Sequence, residues 1–473
     1  MKHLLSPVLV LILSGCALIS PGNKPAAKID PVKLGLQQTT VSWPQAGWWQ
    51  RYGDAQLDTL VDEALANAPS ITRARARLDK ANAAVRVSNA ALLPHVDANY
   101  NLTREHLPSD YIYPPPLGGS VQTDNRLALD FGYEIDFWGK NRALLNEAVA
   151  QSAAAGVDEQ AARIMLSGAV VKAYLNLQNA FAQAQVLEDV IKQRNDVLAI
   201  TNGRFGAGLD TQVEVKQAES ALAAGRVTLI QTQTRIAQLR NQVAALVGAG
   251  PERGASLAPQ ALTASTGEVP SSIPLDLLGH RPDVVAALWN AEAANQAITA
   301  ARARFYPNVN LNGFVGVQSL GTGALLNSNS FLAGIGPAVT LPIFHGGELN
   351  ANLAGRRADA DIAVADYNQT VLDAVQQVAD AVDAIHMLSR ERQQQRLARD
   401  AIDAAYSVAL SRYKEGLGNY LSVLIAQDSV MTQSLRDTDL RIRAYQLDAD
   451  LARALGGGYA PPAATDTAAN SPK

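Results

Sequence analysis

Between Asn125 and Gly139 the chain alternates. Leu127, Leu129, Phe131, Tyr133, Ile135 and Phe137 take the odd positions, and Asp130, Glu134 and Asp136 fall between them. A period of two belongs to an extended strand with one apolar and one acidic face, because successive side chains point to opposite sides. Three further runs alternate in the same way: His95 to Glu105 (Val96, Ala98, Tyr100, Leu102), Asn308 to Val317 (Val309, Leu311, Val315, Val317) and Phe331 to Ile343 (Phe331, Ala333, Ile335, Val339, Leu341, Ile343). The long stretches between them change period. From Lys140 to about Val247 apolar residues recur every three and four positions, which predicts long helix with one interruption. In the second half Val364, Tyr367, Val371, Ala374, Val378, Ala381, Ile385 and Leu388 form the seam of a coiled coil. A helix from Asn141 to Arg204 is about 100 Å long, deeper than any globular core. Glycines in Phe205-Gly206-Ala207-Gly208 and Lys414-Glu415-Gly416-Leu417-Gly418 supply the positive φ of a tight turn, so each half ends in an antiparallel hairpin.

The same order occurs twice. Pro69 and Pro94 bracket an alanine-rich helix, as Pro282 and Pro307 do at the same separation. Arg204, Gly208, Leu209, Gln238, Leu239 and Gly248 recur at one constant spacing as Arg412, Gly416, Leu417, Gln446, Leu447 and Gly456. The unit is longer than a solenoid repeat. The predicted organisation is a signal peptide (1–15), an N-terminal segment with the first short helices (16–94), a strand pair (95–137), a long helical hairpin (138–260), a linker with a short helix (261–307), a second strand pair (308–343), a second long hairpin (344–457) and a tail (458–473).

The N-terminus carries Lys2 and His3, an apolar run to Leu13, and then Leu13-Ser14-Gly15-Cys16. That run is too short to span a membrane, and small residues before the chain's single cysteine fit cleavage and lipidation at Cys16. Ala17, in place of aspartate, favours the outer membrane. No later apolar run is long enough for a membrane helix, so any span must be built from strands. A net charge of −4 without a basic block argues against nucleic acid, and one cysteine excludes a disulfide framework or thiolate metal site.

Several spaced motifs carry a resemblance: Trp48-Trp49, Tyr52-Gly53-Asp54, Leu57, Leu60-Val61 and Ala64-Leu65; Tyr133-Glu134-Ile135-Asp136-Phe137-Trp138-Gly139; Gly279-His280-Arg281-Pro282-Asp283-Val284; and Arg412-Tyr413, Gly416 and Asn419-Tyr420-Leu421. In this order they resemble the outer membrane factor family of TolC-like efflux lipoproteins, close to its NodT subgroup. The resemblance covers nearly the whole mature chain. It implies a mainly α protein with a membrane β-barrel, a homotrimer whose strands form one barrel and whose helices form a periplasmic tunnel. Its implied partners are a periplasmic adaptor (membrane fusion) protein, an inner-membrane efflux pump and outer-membrane lipid. It also implies a closed entrance at the hairpin tips, for which the candidate residues are Asp210, Glu214, Arg412, Tyr413, Asn419 and Tyr420. The chain departs from relatives that place acids inside the second tip, having Gly418 and Ile425 there.

Strand chemistry reaches part of this by itself. Four strands are too few to close a barrel, and an open edge in lipid leaves backbone groups without partners, so chains must pool their strands. Three copies give twelve. An apolar exterior then turns Asp130, Glu134, Asp136, Asn308, Asn310 and Asn312 into a water-filled bore, with loops Leu107 to Thr123 and Leu320 to Ser330 outside the cell.

Enzyme chemistry lacks parts. The six histidines show no metal-ligand spacing, no serine sits in a nucleophile elbow, and Gly206-Ala207-Gly208 joins two helices rather than a strand and a helix. His280 reads as a helix-entry residue, and Trp48 and Trp49 as packing anchors. No cofactor is expected beyond the covalent lipid on Cys16. The predicted function is a passive exit duct for drugs or small toxic organic compounds. A duct for type I protein secretion, or a non-conducting lipoprotein strut across the periplasm, are the alternatives; a strut has no use for two-faced strands.

Overall fold

The computed structural model describes residues 24–37, 42–262, 269–270, 273–321 and 323–460. Cys16, the signal segment and the tail from 461 lie outside them. The chain is mostly helical with one small sheet. In order, the elements are α1 (Ala55–Asn67), α2 (Pro69–Ala90), β1 (His95–His106), β2 (Val121–Ile135), α3 (Lys140–Gly206), α4 (Gln212–Leu246), α5 (Pro251–Ala255), α6 (Leu277–His280), α7 (Pro282–Ala303), β3 (Asn308–Leu320), β4 (Phe331–Thr340), α8 (Glu348–Lys414) and α9 (Tyr420–Ala454). The duplication is visible in the element lengths: α2 and α7 have 22 residues each, α3 and α8 have 67, and α4 and α9 have 35.

The described residues form two compact units, one drawn from residues up to Lys28, Arg77–Gly156 and Ala286–Asn368, the other from Ile29–Ala76, Val157–Val285 and residues from Gln369 onward. The first holds the sheet, antiparallel throughout and ordered β1-β2-β3-β4. Its register gathers the apolar residues on one face. Val96 lies opposite Phe131 and Tyr100 opposite Leu127; Leu129 faces Val315, Tyr133 faces Leu311, Val317 faces Phe331 and Val309 faces Val339. Val96, Tyr100, Leu127, Leu129, Val315, Phe331 and Val339 are exposed, Phe331 by 67%, and Phe131, Tyr133, Val309, Leu311 and Val317 are half-buried, so no layer covers this face among the described residues. The outer edges of β1 and β4 have no strand partner in this sheet.

Strand limits differ from the alternation in several places, and β3 runs on to Leu320. β2 begins at Val121, because β1 continues to His106 and pairs with it, and it stops at Ile135, leaving Asp136 and Phe137 in the turn before α3. β4 stops at Thr340, just before Leu341-Pro342, where proline has no N–H for a ladder. Trp138 ties the ends of the two strand pairs: its ring stacks on Tyr306 at 4.7 Å, and its Nε1 donates to the Pro307 carbonyl at 2.8 Å. In the same unit the N-terminal segment lies along α8. The Ala26 N–H donates to Asp361 (2.8 Å), Asn368 Nδ2 donates to the Ala27 carbonyl (3.0 Å), and Lys28 Nζ sits 5.8 Å from the Tyr367 ring centroid.

In the second unit the main core joins Trp48, Trp49 and Tyr52 to Leu57, Leu60 and Val61 of α1 and to Val170, Val171, Tyr174 and Leu177 of α3. Gly53 turns the chain at φ 65°, which releases Asp54 to cap α1 by accepting from the N–H of Gln56 (2.9 Å) and Leu57 (3.2 Å). Tyr174 donates its hydroxyl to the same carboxylate, and Tyr52 donates to Asp448 at 2.7 Å, where Arg51 also pairs. Burial, reinforced by these carboxylates, raises the pKa of both phenols. The Gly279-to-Val284 motif resolves likewise into packing. His280 stacks on Trp43 at 3.9 Å, Pro282 opens α7, and the buried Arg281 guanidinium donates to Asp283 (2.9 and 2.6 Å), Gln377 (3.0 Å) and the Ala454 carbonyl (2.9 Å). Along α8, Tyr367, Val371, Ala374, Val378, Ala381 and Leu388 of the expected seam are buried, and Val364 and Ile385 half-buried.

Candidate channel lining and hairpin tips

Two sets of residues carry the functional interest, the polar face of the sheet and the tips of the two hairpins. Antiparallel partners share a face, so the register that gathers the apolar side chains gathers Asp130, Glu134, Asn308, Asn310 and Asn312 on the opposite side. Asp130 accepts from Asn99 Nδ2 (2.8 Å) and forms a two-point ion pair with Arg126 (3.2 and 2.5 Å). Glu134 pairs with Lys140 at 2.6 Å. Asp136 does not belong to this face. Its carboxylate accepts from the backbone N–H of Asn141 (3.1 Å) and Arg142 (2.9 Å), capping α3, where the unpaired amides and the helix dipole favour an anion. Gly139, at φ 73°, makes the turn that brings it there.

At the first tip Arg204 pairs with Asp210 at 3.0 Å. The Tyr413 hydroxyl, from the last turn of α8, donates to the same carboxylate and lies 3.1 Å from the Thr201 hydroxyl oxygen, while the Arg204 guanidinium covers the Tyr413 ring at 4.7 Å. Tyr413 is fully buried, and burial together with the Asp210 hydrogen bond pushes its hydroxyl up to about 12. Tyr420, also buried, packs edge-on against it at 5.9 Å in a cluster with Val197, Ala218, Tyr406 and Val423. The first hairpin is thereby fastened to the second within one chain.

The remaining tip residues have local duties. Glu214 completes a capping box on α4, accepting from the Thr211 N–H (2.9 Å) and hydroxyl, which hold its carboxyl below the usual range. Asn419 caps α9 by accepting from the Ser422 N–H at 3.0 Å. Arg412 donates to the Leu417 carbonyl at 3.3 Å. Within one chain, therefore, Glu214 bonds to Thr211 rather than to Arg412 or Tyr413, and the contact that joins the two tips is Tyr413 with Asp210. Reading the sequence missed Thr201, Arg204 and Arg126 as site residues. Arg204 and Arg412 do appear as repeat equivalents, but Asp210 has only Gly418 as its counterpart, so the two tips are not chemically alike.

Around the tips Leu209, Val213, Leu417, Leu421 and Ile425 are exposed, and α4 borders an open groove of about 760 Å³ lined by Arg194, Val213, Lys216, Ser220, Leu424 and Asp428. Among the described residues no helix is long and apolar enough to cross a membrane, and no group of three or more His, Cys, Asp or Glu could hold a metal ion.

Comparison with known proteins agrees with this two-part architecture. Residues 60–249 and 273–457 match the outer membrane efflux protein family. The chain is 34% identical over 362 residues to the fusaric acid resistance protein FusA of Burkholderia cepacia, covering 74% of this chain and 68% of that one. It is 28% identical to the multidrug resistance outer membrane protein MdtP of Escherichia coli, covering 95% and 94%. Among solved structures it is similar to the outer membrane protein VceC of Vibrio cholerae, with a TM-score of 0.84 at 36% identity over 88% of this chain and all of the other. With an exposed apolar sheet face backed by a polar one, and long paired helices in both halves, the chain belongs to the outer membrane efflux protein family and is an outer-membrane efflux channel protein.

Proposed function

We propose that three copies of this chain close a single twelve-stranded barrel and act as the exit duct of a tripartite efflux assembly, taking cargo from an inner-membrane pump through a periplasmic adaptor. The observation that carries this reading is the sheet: four strands, an exposed apolar face, a polar reverse face and two unpaired edges. In hydrocarbon each unpaired edge group costs several kcal/mol, so β1 of one copy must meet β4 of the next. The apolar face then contacts lipid, and Asp130, Glu134, Asn308, Asn310 and Asn312 line the bore. The names of the FusA and MdtP relatives support small toxic organic compounds as cargo.

The exposed apolar residues Leu209, Val213, Leu417, Leu421 and Ile425 supply a surface for the adaptor at the tips, and the Asp210–Tyr413–Arg204 cluster is the fastening that opening must release. Lipid on Cys16 is the second membrane attachment. Going from Lys28 back to Ala26, the N-terminal segment runs along α8 from Tyr367 towards Asp361, in the direction of the sheet, which supports this placement. Planar-bilayer recording of purified protein tests the duct: stepwise currents are expected, and protein that inserts without conducting refutes it.

A further inference from the structure

The polar face of the sheet is unevenly charged. Asp97, Glu105, Asp124, Asp130 and Glu134 project from it, while among the described strand positions on that face Arg126 is the one Lys or Arg. Arg126 is held from two sides. Asp130, four residues along β2 on the same face, binds it at two points, and the ring of Phe314 on β3 lies 5.7 Å from its guanidinium carbon. Ala128, between the two charged residues, is buried at 3% exposure where the bridge passes over it. Phe314 in turn needs Gly334 beside it on β4, since a Cβ there would stand 2.6 Å from the ring. Asn99 on β1 completes the row through its bond to Asp130. One layer thus crosses all four strands at mid-height: Asp97, directly opposite Asp130, with Asn99 on β1, Asp130 and Arg126 on β2, Phe314 on β3 and Gly334 on β4.

We infer that this layer is a waist in the barrel bore at which Arg126 cancels Asp130 beside Asp97, and that Arg126 is a selectivity-determining residue which limits the cation preference that the other acids impose on the duct. The inference rests on the barrel reading, because only closure of the sheet turns this face into a lumen. Threefold repetition places three Arg126–Asp130 pairs at one level. Across a narrow aqueous bore the charges of neighbouring pairs stay within about one Debye length (~10 Å at 0.1 M salt), so their balance acts on every passing ion. Phe314 narrows the same level and leaves passing ions little room to avoid the pairs.

The test is the reversal potential of single channels under a potassium chloride gradient at low ionic strength. Arg126→Gln leaves Asp130 uncancelled, and the cation-to-anion permeability ratio rises by about threefold or more. Asp130→Asn leaves Arg126 uncancelled, and the ratio falls by a similar factor. The double variant returns close to the wild-type ratio. These opposite shifts distinguish the waist from a general loosening, which moves conductance without reversing sign between the two variants. Unchanged reversal potentials in conducting channels overturn the inference and leave the barrel reading standing. Loss of channels from both single variants, with wild type conducting, makes the pair a folding element and overturns it as well. Absence of conduction from the wild-type protein refutes the duct itself.

Discussion

Tyr413, at the end of α8, donates its hydroxyl to Asp210 in the loop between α3 and α4, so that the last turn of the second hairpin's long helix closes on the tip of the first. Asp210 is already paired with Arg204, and the bond therefore joins a buried phenol to an ion pair. A buried donor of this kind contributes little net energy while satisfied and costs about 1–3 kcal/mol when its partner is removed.

Tyr413→Phe removes the hydroxyl and keeps the ring. We expect the tips to loosen, with higher single-channel conductance and faster amide exchange in Gly206 to Asp210 than in wild type. Asp210→Asn, which also weakens the Arg204 pair, raises both further. Conductance and exchange unchanged in both variants would show that the fastening does not limit opening.

The same group sets a pH response. The folded pKa of Tyr413, about 12, lies above its ordinary value of 10.0. The stability it contributes is therefore complete below pH 10 and is lost as pH rises through 12, since the unfolded or opened form releases the proton more readily. Tyrosinate absorbance should show a late-titrating phenol that is missing in Tyr413→Phe. Conductance should rise over that window in wild type and not in the variant.

Asp136→Ala tests the reassignment of that residue from bore to helix cap. A lost cap costs about 1 kcal/mol, so the amides of Asn141 and Arg142 should exchange about fivefold faster. Ion selectivity stays unchanged if the carboxylate is a cap. A selectivity change without an exchange change would return Asp136 to the lumen.

Arg281→Ala removes a buried cation that joins Asp283, Gln377 and the Ala454 carbonyl. Breaking such a site costs about 3 kcal/mol. The proposed trimer should dissociate at a markedly lower temperature, with conductance at room temperature near wild type. An unshifted dissociation temperature would contradict the structural role given to the Gly279-to-Val284 motif.

Much of this was legible in the sequence because it is periodic. Alternation in Leu127 to Ile135 marks a strand, steps of three and four in Tyr367 to Leu388 mark a seam, and repeated spacings mark the duplication. Local chemistry that overrides a period was not legible. Asp136 keeps the alternation of β2 yet lies past the strand, because the turn at Gly139 brings helix amides to its carboxylate. Tyr413 and Asp210 lie far apart in sequence, so their contact follows only from how the hairpins pack. Arg126 is readable in principle, since it shares a face with Asp130 two strand periods away, but a single basic residue among acids has no period of its own.

The central claim is that strands from separate chains complete one barrel, and native mass spectrometry of the protein extracted from membranes in detergent tests it most directly. The account predicts a complex of three chains, and predicts that Phe331→Asp on the lipid face, which costs on the order of 2 kcal/mol near the bilayer midplane, reduces insertion, whereas Asn310→Asp on the bore face does not. A stable monomer or dimer that still conducts would contradict it.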